Sequence, residues 1–345
     1  MEISIHLGKL DIDKMKAAFL TEMEFRGTIP HDHNNMRTEF AWMHALQSDH
    51  FNIHQYEQVQ GYDVVFIIFP KSITKLNAIG LEMTSPETDK GISIYSTDIV
   101  LRLKKNNKLV CSIQEGPTWF FNEYDMVTQF NFYNRLAECD IIFAHNEYDT
   151  HFYKGLFPQT RIKVIPTLMI VNNDTCPFIA APENKAIIGG NFCRWYGGFQ
   201  SYLVATEFQC PIYVPSSHCK RKGEEQAPNL HHLPWVFWTE WMKQLFTFKY
   251  AVNLMPTIAA GTFSLNCAYY GIPCIGNEKV DTQLEMFPDL SVDVNDVFQA
   301  RHQAILLLNK DYYDGAGHHA KKTFKDSVHG NVDKWLEVMK DNIYG

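Results

Sequence analysis

The sequence predicts an α/β protein made of two successive doubly wound domains, each with a parallel sheet covered by helices on both faces. Three observations predict it. Short apolar runs rich in Val, Ile and Phe alternate with longer amphipathic stretches, the pattern of strands buried on both faces between crossover helices. The alternation breaks once, at residues 168–184 (LMIVNNDTCPFIAAPEN), where Pro177, Pro182 and the Asn172-Asn173-Asp174-Thr175 step read as a linker. The length, 345 residues, suits two domains of ordinary size.

The elements follow in order. EISIHL (2–7) reads as a first strand and MRTEFAWMHALQS (36–48) has helical spacing. YDVVFIIFP (62–70) and KLVCSIQEG (108–116) are buried strands, and EYDMVTQFNFYNRLAE (123–138) is helical. CDIIFAHNE (139–147) is a strand with polar residues at its carboxyl end; HFYKGLF continues a helix and RIKVIPT (161–167) is a strand. After the linker the same order resumes. Strands are expected at 185–190, 211–216, 229–236, 250–256, 272–276 and 290–294, with helices at 197–208, 239–248, 262–271 and 279–287 and closing helices over 295–343. The expected domains are 1–170, a linker at 171–184, 185–330, and a closing helix at 331–345. Ligands of such sheets sit at the carboxyl ends of strands, so two facing domains place their crevice between them.

Composition narrows the function. At 46% hydrophobic and 14% aromatic residues the chain can fill two cores. The net charge of −8 divides into −5 over residues 1–167 and −3 over the rest, so neither half is a polyanion binder by bulk charge. Two short basic runs, RLKKNNK (102–108) and CKRKGE (219–224), are solvated loops or grips for phosphate, which keeps a DNA acceptor open. Eight scattered Cys, none in a C-x-x-C pair, read as reduced, buried thiols of a cytoplasmic protein. No signal peptide and no transmembrane segment are expected.

The most informative stretch is AAGTFSLNCAYYGIPCIG (259–276). A strand ends at Met255-Pro256, a small-residue loop follows, and Gly261-Thr262 opens a helix. A helix N-terminus offers unpaired N–H groups and a partial positive charge, the requirements of a phosphate site. Gly261 admits an anion to the backbone, and Thr262 and Ser264 offer hydroxyls; ordinary helix capping is the competing explanation. One half-sheet earlier, AIIGGNFCRWYGGFQSY leaves a strand through Gly189-Gly190, passes Arg194 and enters a helix near Gly197-Gly198, which suits a diphosphate contact.

With these motifs the sequence resembles, over its whole length, the two-domain nucleotide-sugar glycosyltransferases of the GT-B fold, with two facing Rossmann-like domains and a closing C-terminal helix. Gly271-Ile272-Pro273 matches the Gly-x-Pro that opens their next strand. The resemblance implies a nucleotide-sugar donor, UDP- or GDP-linked, and no prosthetic group. It puts Arg194 and Thr262 on the diphosphate and His232 to Trp235 near the base; Gly190, Gly261, Phe263, Ser264 and Asn266 complete the expected donor-binding set. Asn266 falls where many retaining members carry the second Glu of a pair, and Ile258 where they carry the first. Both carboxylates are missing, which weighs against a retaining mechanism of that type and leaves inversion expected; Arg194 and the helix start at Thr262, by stabilising the departing diphosphate, make a metal-independent transfer the expectation. The closing helix of the family usually crosses back to the amino-terminal domain. The compact build also resembles virus-encoded glycosyltransferases, which would act in a host cytoplasm.

An inverting transfer needs a base to take the acceptor proton. IPHDHNNMR offers Asp32 and His33, and IQEGPTW offers Glu115 at a strand's carboxyl end. Consecutive residues do not converge on one ion, so the His-Asp-His run is not expected to hold a metal. Acceptor glycan, protein and modified DNA all stay open, the last as a glucosyltransferase of hydroxymethylated bases. A same-fold sugar-nucleotide epimerase and a non-catalytic nucleotide-binding module are the alternative readings.

Overall fold

The computed structural model describes residues 15–23, 26–30, 32–69, 93–107, 109–114, 126–171, 182–193, 196–215 and 221–329, with helical positions at 334, 336, 337, 340 and 341. The expected strand at 2–7 lies outside them. The chain divides into two compact units, the first from Met1–His31, Trp42–Pro166 and Val332–Gly345, the second from Asp32–Ala41 and Thr167–Asn331.

The first unit carries β1 (Ala17–Thr21), β2 (Asp49–Asn52), β3 (Val64–Ile67), β4 (Leu109–Ile113), β5 (Ile141–Ala144) and β6 (Arg161–Val164), all parallel, in the order β2-β1-β3-β4-β5-β6. The helix α1 (Thr38–Ala45) begins in the second unit and ends in the first; α2 (Ser93–Asn106), α3 (Met126–Glu138) and α4 (Glu147–Leu156) belong to the first. β1, β3 and β5 are buried along their length because both faces are covered, while β6 at the sheet edge leaves Arg161 and Lys163 exposed. On one face Phe66 stacks on Phe19 with ring centroids 4.7 Å apart. On the other, Leu20, Val65, Phe69, Phe132 and Tyr153 join one apolar core.

Two strands here were not expected from the sequence, β1 and β2. β2 reads Asp-His-Phe-Asn and lacks an apolar run, yet His50 is fully buried. Its Nε2 lies 2.7 Å from Thr21 Oγ1 of β1, so two polar residues satisfy each other inside the sheet.

The second unit carries β7 (Glu183–Ile188), β8 (Ile212–Pro215), β9 (Leu230–Leu233), β10 (Phe248–Asn253), β11 (Cys274–Asn277) and β12 (Ser291–Val292), parallel again, in the order β12-β11-β10-β7-β8-β9. Its helices are α5 (Gly198–Ala205), α6 (Trp238–Leu245), α7 (Thr262–Tyr270), α8 (Asp281–Met286), α9 (Val297–Leu306) and α10 (Lys310–Thr323). The strand order reverses between β7 and β10, which makes that junction the switch point where such sheets bind ligands.

One expectation is corrected. Asp32 and His33 were read as residues of the amino-terminal half, but their segment is tied to the second unit. Thr38 N–H donates to Leu168 O at 2.8 Å, Ile170 N–H to Met36 O at 2.9 Å, and Thr239 N–H to Asn34 O at 3.3 Å. Backbone bonding across the chain, invisible in the local pattern, decides where they belong. Among the described residues no helix is long and apolar enough to cross a membrane.

The described Cys residues are free thiols, all buried except the half-buried Cys193. Burial pushes the Cys111 and Cys267 thiols well above their usual range and Cys139 up to about 12, so these are packing groups without nucleophilic character.

Candidate functional site

The site is assembled at the carboxyl ends of β7, β10 and β11 in the second unit. β7 runs into Gly189-Gly190, and Gly189 N–H still donates to Val252 O of β10 at 2.8 Å. A Cβ on Gly190 would lie 2.4 Å from Tyr196 Cβ, so the turn closes onto its own far side and only glycine fits. The loop ends at Gly197, which caps α5 in the left-handed region at φ +57°. A Cβ there would sit 2.1 Å from Leu254 O, just past the end of β10. The glycines thus let two strand ends and a helix start approach within van der Waals contact. Arg194, expected at the diphosphate, lies outside the described residues, as does Glu115.

Beside this loop β10 ends at Asn253 and the chain reaches α7. Its N-cap is Gly261, at φ +72° with no side-chain cap. The N–H groups of the first turn of α7 therefore have no answer within the helix or from a capping side chain. Thr262 is the first helical residue, half-buried, and not the N-cap. Thr167 Oγ1 donates to Ala260 O at 2.5 Å, and Thr282 Oγ1 donates to Gly261 O at 2.9 Å, which pins the loop. A small pocket is lined by Asn253, Met255, Gly261, Ser264, Asn277 and Gln283.

Two expected donor residues are placed differently. Ser264 is 1% exposed and its hydroxyl donates to Gln283 Oε1 at 2.7 Å, so its one donor faces α8 and not an incoming anion. Asn266 is equally buried, and its Oδ1 accepts from the Trp238 indole at 3.3 Å, which joins α7 to α6. Ile258 is buried too, so neither position of the missing carboxylate pair presents an acid. Phe263 is half-buried, with its ring 6.3 Å from that of Trp241.

A further cluster lies at the end of β9. Glu224, on a short turn of helix before that strand, has a fully buried side chain. Its Oε2 accepts from Phe192 N–H at 3.0 Å and from Arg221 N–H at 3.1 Å, and its Oε1 lies 2.8 Å from His232 Nε2. One carboxylate therefore ties the β7 loop to the end of β9. Trp235, three residues on, is 61% exposed and meets Phe237 edge-on at 5.1 Å.

Sequence reasoning missed Glu224, Asn253, Asn277 and Gln283. Asn253 and Asn277 each end an apolar strand run with a polar residue, a signal that was readable. Glu224 sits in the basic run CKRKGE and reads as solvated. Asp32 is exposed; the half-buried His33 ring stacks on Phe40 at 4.8 Å, and its Nδ1 accepts from Asn35 N–H at 3.1 Å. Among the described residues no three His, Cys, Asp or Glu side chains gather as metal ligands do.

No protein-family model matches the sequence, and no curated protein matches it. Solved structures do. A sucrose-phosphate synthase from Thermosynechococcus elongatus is similar with a TM-score of 0.64 at 9% identity, over 96% of this chain and 99% of that one. An α-glucosyltransferase in complex with UDP-glucose and DNA containing an abasic site is similar with a TM-score of 0.57 at 10% identity, over 96% and 99%. TarM gives 0.60 at 11% identity, over 87% of this chain and 60% of that one.

The chain has the GT-B fold. Within the GT-B frame, the β7 loop and the start of α7 are the two strand-end features beside the switch point of the second sheet. At the described positions both are glycine turns, and the start of α7 presents backbone N–H groups, the chemistry by which helix N-termini hold anions.

Proposed function

We propose that this chain is a glycosyltransferase that moves a sugar from a nucleoside diphosphate donor to an acceptor hydroxyl. The observation that carries the proposal is the uncapped start of α7 at Gly261, next to the glycine-lined β7 loop at the switch point. The second unit holds the donor, and the first serves the acceptor. The backbone N–H groups of α7, with the Thr262 hydroxyl and Arg194, take the diphosphate. In the inverting form of the reaction a base removes the proton of the acceptor hydroxyl as its oxygen attacks the anomeric carbon. The bond from that carbon to the diphosphate oxygen breaks, and the helix dipole and Arg194 stabilise the charge that gathers on the leaving group. The absence of acids at Ile258 and Asn266 supports inversion over a mechanism that uses such a pair.

Nucleoside diphosphate binding, measured by calorimetry, tests the donor site. Arg194→Ala is expected to weaken it by about 1.5–3 kcal/mol, the scale of a charged hydrogen bond. Unchanged affinity in a folded variant removes Arg194 from the site. The base is sought among Asp32, His33 and Glu115. Asp32→Asn, His33→Ala and Glu115→Gln, made separately, should include one that loses roughly 10²–10⁴-fold in turnover, the usual contribution of a general base. Near wild-type turnover in all three places the base elsewhere.

A second reading concerns the acceptor. The similarity to the α-glucosyltransferase solved with DNA raises DNA as the acceptor, and the equally long similarity to the sucrose-phosphate synthase does not favour it. The acidic balance of residues 1–167 favours a glycan or protein. Transfer of labelled sugar to hydroxymethylated DNA, with unmodified DNA as control, decides between them.

A further inference from the structure

We propose that Glu224 fixes the tautomer of His232, and that His232 thereby selects the nucleobase of the donor. It takes a base whose ring nitrogen carries a hydrogen, uracil or guanine, over one whose ring nitrogen is a bare acceptor, cytosine or adenine. This deepens the donor-site reading and rests on it.

The argument starts from the carboxylate. Glu224 is buried, and its Oε2 accepts two backbone N–H groups, from Phe192 and Arg221. A carboxylate oxygen that takes two backbone N–H groups is an acceptor, and the other oxygen of the carboxylate faces the His232 ring. The His232 nitrogen 2.8 Å from Oε1 must then be the donor, so Nε2 carries the hydrogen. In the neutral ring that leaves Nδ1 as an acceptor. Nδ1 has no partner among the described residues, and the side chain is 14% exposed. The buried carboxylate thus sets which group an exposed ring edge shows to a ligand.

Place in the sheet makes that ligand a base. β9 is two strands from β7 and three from β10. At the usual strand spacing its end lies about 10 Å and about 14 Å from theirs. With the phosphates at the junction of β7 and β10, a nucleoside reaches across β8 to the end of β9. On the opposite flank, past β12, Asp293 and Asp296 use their carboxylates on the N–H groups of Asn295 and Gln299. The β9 flank instead offers a ring acceptor and, at Trp235 and Phe237, exposed flat faces for stacking.

Calorimetry of the full chain with UDP, GDP, CDP and ADP tests this. The better of UDP and GDP should bind at least about tenfold tighter than both CDP and ADP, as expected when a hydrogen bond is replaced by two facing acceptors. In Glu224→Gln the two backbone N–H groups keep the amide oxygen at the Oε2 position. The amide NH2 then faces Nε2, the ring hydrogen moves to Nδ1, and the preference should collapse or invert. A purely structural role would weaken all four nucleotides alike. Should that variant not fold, the ring ¹⁵N shifts of wild-type His232, read as the resonance missing in His232→Gln, must report hydrogen on Nε2 and a bare Nδ1; hydrogen on Nδ1, alone or together with Nε2, overturns the proposal. Equal binding of UDP with CDP and of GDP with ADP overturns it while the donor site stands. If none of the four binds, the donor-site reading falls and takes this one with it.

Discussion

Gly261→Val lowers the stability of the second unit by about 2–5 kcal/mol, through left-handed backbone strain together with overpacking. Gly261 sits at φ +72°, where a β-branched residue is strained whatever space it has. Space is also missing. A Cβ would lie 1.9 Å from Thr282 Oγ1 and 2.7 Å from Val280 Cγ1. Thr282 cannot simply turn away, because its hydroxyl holds Gly261 O and fixes the loop against α8. The substitution therefore damages the fold and the anion site together, and loss of nucleotide binding in it alone says little. Thr262→Ala separates the two. Thr262 is not the N-cap, so its loss should cost less than the ~1 kcal/mol of a capping residue. If its hydroxyl meets the phosphate, nucleoside diphosphate affinity should fall by roughly 0.5–1.5 kcal/mol. Urea denaturation gives the first quantity and calorimetry the second. A Gly261→Val protein with a wild-type midpoint would contradict the packing described here.

Much of the second unit was legible in the sequence, because each of its elements announces itself locally. The runs KAIIGG, YAVNLMP and IPCIG are short and apolar, and glycine or proline punctuates each. The helix at 262–271 was expected from Gly-Thr at one end and Gly-Ile-Pro at the other, and α7 runs Thr262–Tyr270. The first unit was less legible where burial is satisfied by polar partners. Thr21 and His50 satisfy each other inside the sheet, so β2 (Asp-His-Phe-Asn) carries too little hydrophobic signal to stand out, whereas β1 (Ala-Ala-Phe-Leu-Thr) is a short apolar run that was readable and was missed. The route of 32–41 into the second unit depends on backbone bonds to residues 168, 170 and 239, and no periodicity records them. At the site, the glycine turns were visible and the role of Ser264 was not. A hydroxyl two residues into a helix points outward or inward according to the neighbouring helix, and here Gln283 of α8 takes it. Local chemistry thus located the strand ends, and long-range hydrogen bonds decided which side chains face a ligand there.

Glu224→Ala should cost about 3–5 kcal/mol, the scale of removing one member of a buried charged cluster. The fully buried Glu224 carboxylate meets three nitrogen partners. Removing its carboxylate leaves the N–H groups of Phe192 and Arg221 without an acceptor and the His232 ring without its anchor. Each orphaned donor costs about 1–3 kcal/mol when water cannot replace the acceptor. Glu240 and Lys243 on α6 form an ion pair just as short, at 2.6 Å, yet their side chains are 55% and 32% exposed. Solvent screens that pair and the ordering of two long side chains offsets it, so Glu240→Ala should leave the urea midpoint almost unmoved. The contrast between the two variants isolates burial from distance. In Glu224→Ala the midpoint should drop with an unchanged denaturant slope, since the same surface is exposed on unfolding. Glu224→Gln keeps an acceptor for the two backbone N–H groups and should fall between them. If Glu224→Ala unfolds at the same urea concentration as Glu240→Ala, then water reaches the carboxylate, and the β7 loop is held to β9 by something other than Glu224.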